Sequence, residues 1–298
     1  MNIKIVIAVN KKDVWFCRIC IASIRYYYPE VEIFLLKDEL NGKFSTEEIE
    51  VNWKVQLISY DVKKFGWSAA KMHFYCDERF EGQRFLVLDS DIVLVGKLLD
   101  ESFVNDLAWD VVVSEEVVED PSAEWFGQTY FDYNTVKTYD FHFKYQGYAF
   151  NCGQLFCKGN FLSARQLEPY FDFNSYPPWK RLDIFPLVDQ SLFNYLLPSL
   201  AIQNKIKLSR ENFMLWSENK QTLEMEFLPS SKGSPFLIHW AGALRTPFIN
   251  RMSRSDILTF FEKYYYSKVN FGDIKRRIRL IKPLFNSGLR YIKKRVQH

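Results

Sequence analysis

Two carboxylates one residue apart interrupt a long apolar run, Val87-Leu88-Asp89-Ser90-Asp91-Ile92. On an extended chain, residues i and i+2 share a side, so Asp89 and Asp91 would sit together. Acids that close repel unless a cation joins them. A hard divalent ion with oxygen ligands, and positions left open for a diphosphate, is the natural partner. The plainer reading is a pair of solvated acids in a turn, and the apolar flanks on both sides argue against it. Three further clusters set polar groups among apolar ones: Phe150-Asn151-Cys152-Gly153-Gln154, then Asp189-Gln190, then Ile238-His239-Trp240-Ala241-Gly242-Ala243-Leu244-Arg245. A single histidine after a strand is more often a packed core residue than a ligand, and Gly242 alone reads as a turn.

The elements that must position these groups follow from pattern. Residues 3–9 predict a short buried strand, and 13–28 a mostly buried helix stopped by Pro29. Strands are predicted at 31–36, 53–60, 84–95, 110–113, 150–157 and 236–240, with helices at 68–75 and 188–197. Strands alternating with helices at this spacing mean βαβ units and a mainly parallel α/β sheet. In such sheets ligands gather beyond the carboxyl ends of strands, which is where the run at 84–95 puts Asp89 and Asp91. Between Pro121 and Tyr148 aromatics crowd in without a period, and an excursion from the sheet is expected there.

The order D-x-D, N-x-G, D-Q, H-x-x-G-x-x-[KR], together with the opening strand and a helix holding Ala22-Ser23-Ile24, resembles glycosyltransferase family 8 over roughly residues 3 to 247. The resemblance implies a GT-A fold (Rossmann-like, mainly parallel sheet flanked by helices) and a retaining enzyme that uses a nucleotide-sugar donor. It implies that Asp89, Asp91 and His239 bind a metal, with Asp89 also near the donor ribose. A donor set of two carboxylates and an imidazole suits Mn²⁺ as well as Mg²⁺. Gly242 would let the backbone approach the diphosphate, while Arg245 and Lys71 would hold phosphate or sugar oxygens. Ala8 and Asn10 would face the base. Asn10 stands where the family often has Asp, and an amide also pairs with a uracil edge, so a UDP-sugar is the expected donor. Asn151, Asp189 and Gln190 would surround the transferred sugar. An inverting enzyme would need a base such as Glu115 or Glu116, for which a solvated loop is the favoured reading.

The aromatic stretch offers either an acceptor platform, with Trp125 as its test residue, or ordinary packing. The acceptor expected is a glycan or a lipid-linked glycan, as in polysaccharide biosynthesis. Two rivals use the same residues. Asp89-Ser90-Asp91-Ile92-Val93 also fits the nucleophile pattern of haloacid-dehalogenase phosphatases, but that pattern opens its domain and here three strands precede it. A non-catalytic sugar-binding protein on the same fold would have no need for a metal triad.

Charge separates the chain into a body and a tail. Residues 271–298 hold nine Lys/Arg and one acid, a net +8, whereas the rest carries −5. The body is therefore not a nucleic-acid binder. A GT-A domain is expected over 1–270 and a basic amphipathic helical tail over 271–298. In the tail Ile274, Ile278, Ile281 and Phe285, then Leu289, Ile292 and Val296, form apolar stripes broken at Pro283 and 286–288. This is the pattern of an interfacial helix on an anionic membrane. Residues 1–9 lack the features of a secretory signal, and no run approaches the ~18 apolar residues of a membrane span. A cytoplasmic protein, peripheral at the inner face of the membrane, is expected. Cys17 and Cys20 read as buried thiols rather than a zinc or redox pair.

Overall fold

The computed structural model describes residues 3–60, 67–229, 233–242 and 245–281. Within them the strands are β1 (Ile3–Asn10), β2 (Ile33–Asp38), β3 (Val55–Ile58), β4 (Arg84–Asp89), β5 (Ile92–Gly96), β6 (Val111–Val117), β7 (Tyr148–Lys158), β8 (Leu208–Glu211), β9 (Met214–Trp216) and β10 (Gly233–His239). The helices are α1 (Val14–Tyr27), α2 (Glu47–Trp53), α3 (Trp67–Tyr75), α4 (Ser102–Asn105), α5 (Glu124–Thr129), α6 (Tyr133–Tyr139), α7 (Ala164–Leu167), α8 (Asp189–Ile202), α9 (Lys220–Glu224) and α10 (Ser255–Ser267). A further helical run, α11, covers 272–281.

The large sheet has the order β3-β2-β1-β4-β7-β6-β8. Its pairs are parallel except that β7 runs against both neighbours, β4 and β6. β1 explains why its sequence is continuously apolar rather than alternating. Ile3, Ile5, Ile7 and Val9 enter one core, shared with Phe16, Ile19 and Phe261. Val6 and Ala8 enter the other, shared with Ala69, Phe85 and Leu192. A parallel strand covered on both faces must be apolar at every position. This is the GT-A arrangement that the alternating elements and the motif order suggested.

The run at 84–95 is not one strand. The chain turns at Ser90-Asp91, and β5 leaves for a second sheet of order β5-β10-β9. The apolar run continues because both sheets bury it, so periodicity alone gives no sign of the break. β10 runs antiparallel to β5 and sets His239 opposite Ile92. The two acids and the histidine are thus brought to one corner by a sheet crossover.

The excursion between 121 and 148 contains α5 and α6. Phe126, Tyr130, Phe131, Phe143 and Tyr148 are buried, whereas Trp125, Tyr139 and Phe141 are exposed. Most of the aromatic excess is therefore packing. α10, which was not among the predicted helices, closes the other face with Ile257, Leu258, Phe261 and Tyr265 buried. Tyr26 of α1 meets Phe260, Phe261 and Tyr264 edge-on at 5.3, 5.8 and 5.2 Å, the favoured aromatic geometry.

The tail departs from expectation where it is described. Lys275 and Arg276 of α11 face the body, pairing with Glu48 and Glu262, while Arg279 also pairs with Glu262. Ile274, Ile278 and Ile281 point outward, 58 %, 58 % and 46 % exposed. Gly272 permits the tight entry to this helix, since a Cβ there would lie 1.7 Å from the Tyr266 carbonyl oxygen. Phe285, Leu289, Ile292, Val296 and the break at Pro283 lie outside the described residues. No helix among the described residues is long and apolar enough to cross a membrane.

Candidate active site and metal centre

Asp89 ends β4, beside Ala8 of β1, which is its register partner. Asp91 lies across the turn, and its carbonyl accepts from the Trp240 amide at 3.1 Å, tying the exit of β10 to that turn. His239 Nε2 stands 3.2 Å from Asp91 Oδ1. One ligand atom from each of Asp89, Asp91 and His239 can be chosen so that all lie within 4.8 Å of one another. His239 Nδ1 is buried and has no hydrogen-bond partner. Its ring is held by stacking on Trp216, centroids 5.2 Å apart and planes 18° apart. The Trp216 indole in turn donates to Glu116 Oε2 at 3.0 Å. Glu116 thus supports the histidine through a ring and is no solvated loop acid.

Lys71 of α3 is 1 % exposed and gathers three groups. Its ammonium meets Asp89 Oδ1 at 3.1 Å, Asp189 Oδ2 at 2.7 Å and the Cys152 carbonyl at 3.0 Å. Burial would lower its pKa, but Asp189 and Asp89 outweigh that and hold it above the ordinary lysine value. Asp189 opens α8 directly after Val188, whose φ is +49°. A β-branched residue in that region costs about 1–3 kcal/mol and persists only where surrounding contacts impose it. Here the Lys71–Asp189 pair is such a contact.

The N-x-G motif is a bulge. Val113 pairs with Leu155 but Glu115 pairs with Phe150, so residues 151–154 leave the β6 ladder. On the other side the β4 pairing stops at Leu88 and Gln154. Bulges next to sites re-aim side chains. This one is pinned from α8. Gln190 Oε1 accepts from the Cys152 amide at 2.8 Å, and its Nε2 donates to the Phe150 carbonyl at 3.0 Å. Asn194, one turn on, receives the Phe150 amide at 2.9 Å and donates to its carbonyl at 2.8 Å. Asn151 Oδ1 accepts from the Gly153 amide at 2.8 Å, and its Nδ2 reaches Gln190 Oε1 at 3.4 Å. Gln190 therefore spends both ends of its amide on holding β7.

Arg245 spans the rim. Its Nη1 lies 2.7 Å from Asp13 Oδ2 and 3.0 Å from Asp91 Oδ2, and the side chain is 28 % exposed. Gly242 has φ +61° with nothing within 4 Å of a would-be Cβ, so its backbone conformation, not crowding, calls for glycine there. Its carbonyl accepts from the Arg245 amide at 3.3 Å. Asn10 donates to Asp13 at 2.6 Å and accepts from the Lys12 amide at 2.8 Å, so its side chain shapes the entry to α1. Asn10, Lys71, Asp89, Asp91, Asn151, Asp189, Gln190, His239, Gly242 and Arg245 thus fall in one network, with Ala8 beside Asp89, whereas Glu115, paired with Arg210, and the exposed Trp125 lie outside it.

Sequence reasoning missed three members. Asp13 looked like a helix start and proves to anchor Arg245. Trp216 and Asn194 had no sequence signal at all. Gly153, quoted as part of N-x-G, is a glycine inside a strand, which marks a bulge or a close approach. A Cβ there would lie 2.6 Å from Asn151 Oδ1, 2.7 Å from His239 Cε1 and 3.0 Å from Asp89 Oδ2. The site wall is shaved to the backbone at that point.

The electrostatics favour a cation. Asp13, Asp89, Asp91 and Asp189 face Lys71 and Arg245. Burial pushes the Asp89 carboxyl up to about 7 against the pull of Lys71, and Asp91 and Asp189 add to the rise. Burial would raise Asp91 too, but His239 and Arg245 hold it below the ordinary aspartate value. Oxygen and imidazole donors, a surplus of acids, an orphaned buried ring nitrogen and the clearance at Gly153 all fit a divalent ion of the Mn²⁺ or Mg²⁺ kind.

No protein-family model and no curated protein matches the sequence. Solved structures do match the fold. The galactosyltransferase LgtC, in complex with donor and acceptor sugar analogs, superposes with a TM-score of 0.53 and 13% identity, covering 89% of this chain and 96% of that one. The bifunctional glycosyltransferase WbbM gives 0.56 and 14%, covering 94% of this chain and 52% of that one, so the chain spans about half of WbbM. The apo-form glycosyltransferase GlyE of Streptococcus pneumoniae TIGR4 gives 0.50 and 13%, covering 96% and 64%. At such identities the likeness is one of fold, and the fold that this chain shares with them is of the GT-A type.

Proposed function

We propose that this chain is a metal-dependent glycosyltransferase that moves a hexosyl group from a nucleoside diphosphate sugar, UDP-linked in the first instance, to a glycan or lipid-linked glycan. The observation that carries the reading is the convergence of Asp89, Asp91 and His239 at the sheet crossover. The ion held there would neutralise the diphosphate as it gains charge. Arg245, on the rim, adds a second cation for that charge, which is electrostatic stabilisation by a group already in place. Gly242 leaves the backbone open beside the phosphates, and Ala8 and Asn10 floor the base side. Asn151 and Asp189 border the sugar, with Lys71 fixing Asp189 and Gln190 fixing the bulge that carries Asn151. In this reading the departing phosphate takes the acceptor's proton and the sugar is transferred with retention, as the motif order's resemblance to a retaining family suggests. Trp125, 52 % exposed, is available to stack an acceptor ring.

A phosphatase is disfavoured because its nucleophilic carboxylate must be free to attack, and Asp89 is tied to Lys71. A sugar-binding scaffold is disfavoured because it would have no use for a cluster of buried acids around an imidazole.

The outward isoleucines of α11 support membrane contact. Among the described tail residues, Lys275, Arg276 and Arg279 pair with the body. Each basic residue of 271–298 that met an anionic surface would add about 1 kcal/mol. Ile278→Asp should abolish pelleting with anionic vesicles; undiminished pelleting would overturn the assignment.

The test of function is a thermal-shift panel of UDP, GDP, CMP and ADP and their sugar-linked forms, with and without Mn²⁺. A nucleotide at about 100 times its Kd adds about 2.7 kcal/mol of stability. A shift that needs both a nucleoside diphosphate and metal supports the reading, and no shift with any of them sinks it.

A further inference from the structure

Among the described residues of the tail, Arg279 reaches the two segments that flank Arg245 and Asp13. Arg279 of α11 pairs with the buried Glu262 of α10. Its Nη1 donates to the Pro247 carbonyl at 2.9 Å, and its guanidinium lies 5.7 Å from the centre of the Trp15 ring. Both outer contacts lead inward. Pro247 is two residues beyond Arg245, and the Phe248 amide donates to Thr246 Oγ1 at 3.3 Å, which makes 245–248 a tight unit. Trp15 is two residues beyond Asp13, the other partner of Arg245. Arg279 thus braces from behind the two pieces of chain that hold the Arg245 guanidinium against Asp91. Beside this contact α11 and the loop border a cleft of about 410 Å³ whose lining includes Pro247, Phe248, Ile249, Glu262, Arg276 and Leu280.

We infer that Arg279 is a positioning residue for the donor site: it fixes the 245–248 segment and the start of α1, and so the aim of Arg245. The inference rests on the donor-site reading above only for its functional consequence. The geometry accounts for two features of the tail. The planar five-donor guanidinium reaches a carboxylate, a carbonyl and a ring face at once, which a lysine ammonium cannot. Gly272 fixes the entry of α11, so the helix returns across α10 at the level of Pro247. Lys275, one turn earlier on the same helix, pairs with Glu48, which meets α1 at Arg18 rather than at Trp15, and provides the contrast.

The experiment compares the full chain with Arg279→Ala, Arg279→Lys and Lys275→Ala. Amide exchange over 245–249 is measured without ligand, and the Kd of UDP with Mn²⁺ by calorimetry. Support at a bound group is typically worth about 10–100-fold in affinity. Arg279→Ala should speed exchange over 245–249 and raise the Kd about tenfold, Arg279→Lys should recover only part, and Lys275→Ala should change neither. Unchanged exchange in Arg279→Ala overturns the brace whatever the protein binds, and so does an equal effect of Arg279→Ala and Lys275→Ala on the Kd. A wild-type chain that binds no nucleoside diphosphate, with exchange still accelerated in Arg279→Ala, leaves the brace standing and removes the donor-site reading.

Discussion

The active-site corner and the seat of the tail helix use the same chemistry in opposite proportion. At the corner four carboxylates, Asp13, Asp89, Asp91 and Asp189, face two cations, Lys71 and Arg245. At the seat two carboxylates, Glu48 and Glu262, face four cations, Arg18, Lys275, Arg276 and Arg279. The surplus at the seat is inexpensive because long basic side chains keep their heads near water, as Lys275 does at 41 % exposure. The surplus at the corner is buried, and a buried acid without a partner must protonate or find a cation. Asp89 shows the strain of that choice by rising to about 7. Surplus charge therefore separates the two regions: the corner is a candidate cation site, and the seat holds a helix of the chain's own.

Removing an acid from the corner should have the largest effect. Asp91→Ala should lower the transfer rate by about 10³-fold, the scale of losing one preorganised charge-stabilising group. A loss under tenfold would show that the acid surplus has no catalytic use. Gly153→Ala comes next, since its Cβ would press on Asn151, His239 and Asp89 together. Overpacking of this kind costs about 1–3 kcal/mol, so urea unfolding should show the destabilisation and Mn²⁺ affinity should fall with it.

Changing pH is the third test. Metal ligands must be deprotonated, so Mn²⁺ affinity should be full above pH 7 and fall about tenfold per unit below it as Asp89 protonates. Stability of the metal-free protein runs the other way. The folded value for Asp89 lies above that of an ordinary aspartate, so its contribution is present at low pH and lost as pH rises through 7. Calorimetric scans from pH 5 to 9, with and without Mn²⁺, check both signs. The smallest effect is expected at the seat, where Lys275→Ala should cost less than about 1 kcal/mol because the pair is half exposed, with donor binding untouched.

What the sequence disclosed was local. β1, α1 and β7 were legible because each is rich in apolar residues that are buried. The residues of the corner were legible because their order along the chain resembles that of a known family. What escaped depends on contacts distant in sequence. The turn at Ser90-Asp91 sends one apolar run into two sheets, and apolar side chains look alike in either. That Gln190 also holds β7 shows only once β7 is seen to bulge toward it. Trp216 gains its place only when β9 pairs with β10. The amphipathic pattern of α11 located its stripe, but the stripe's outward direction is set by Glu48 and Glu262, more than 200 residues and 10 residues away in sequence.

The most direct measurement is electron paramagnetic resonance of Mn²⁺ titrated into the full chain with UDP present, beside Asp91→Ala. One Mn²⁺ per chain should leave the free-ion signal in the wild type and none in the variant. Equal uptake by both proteins, or no uptake by either, would contradict the corner as a metal-assisted donor site.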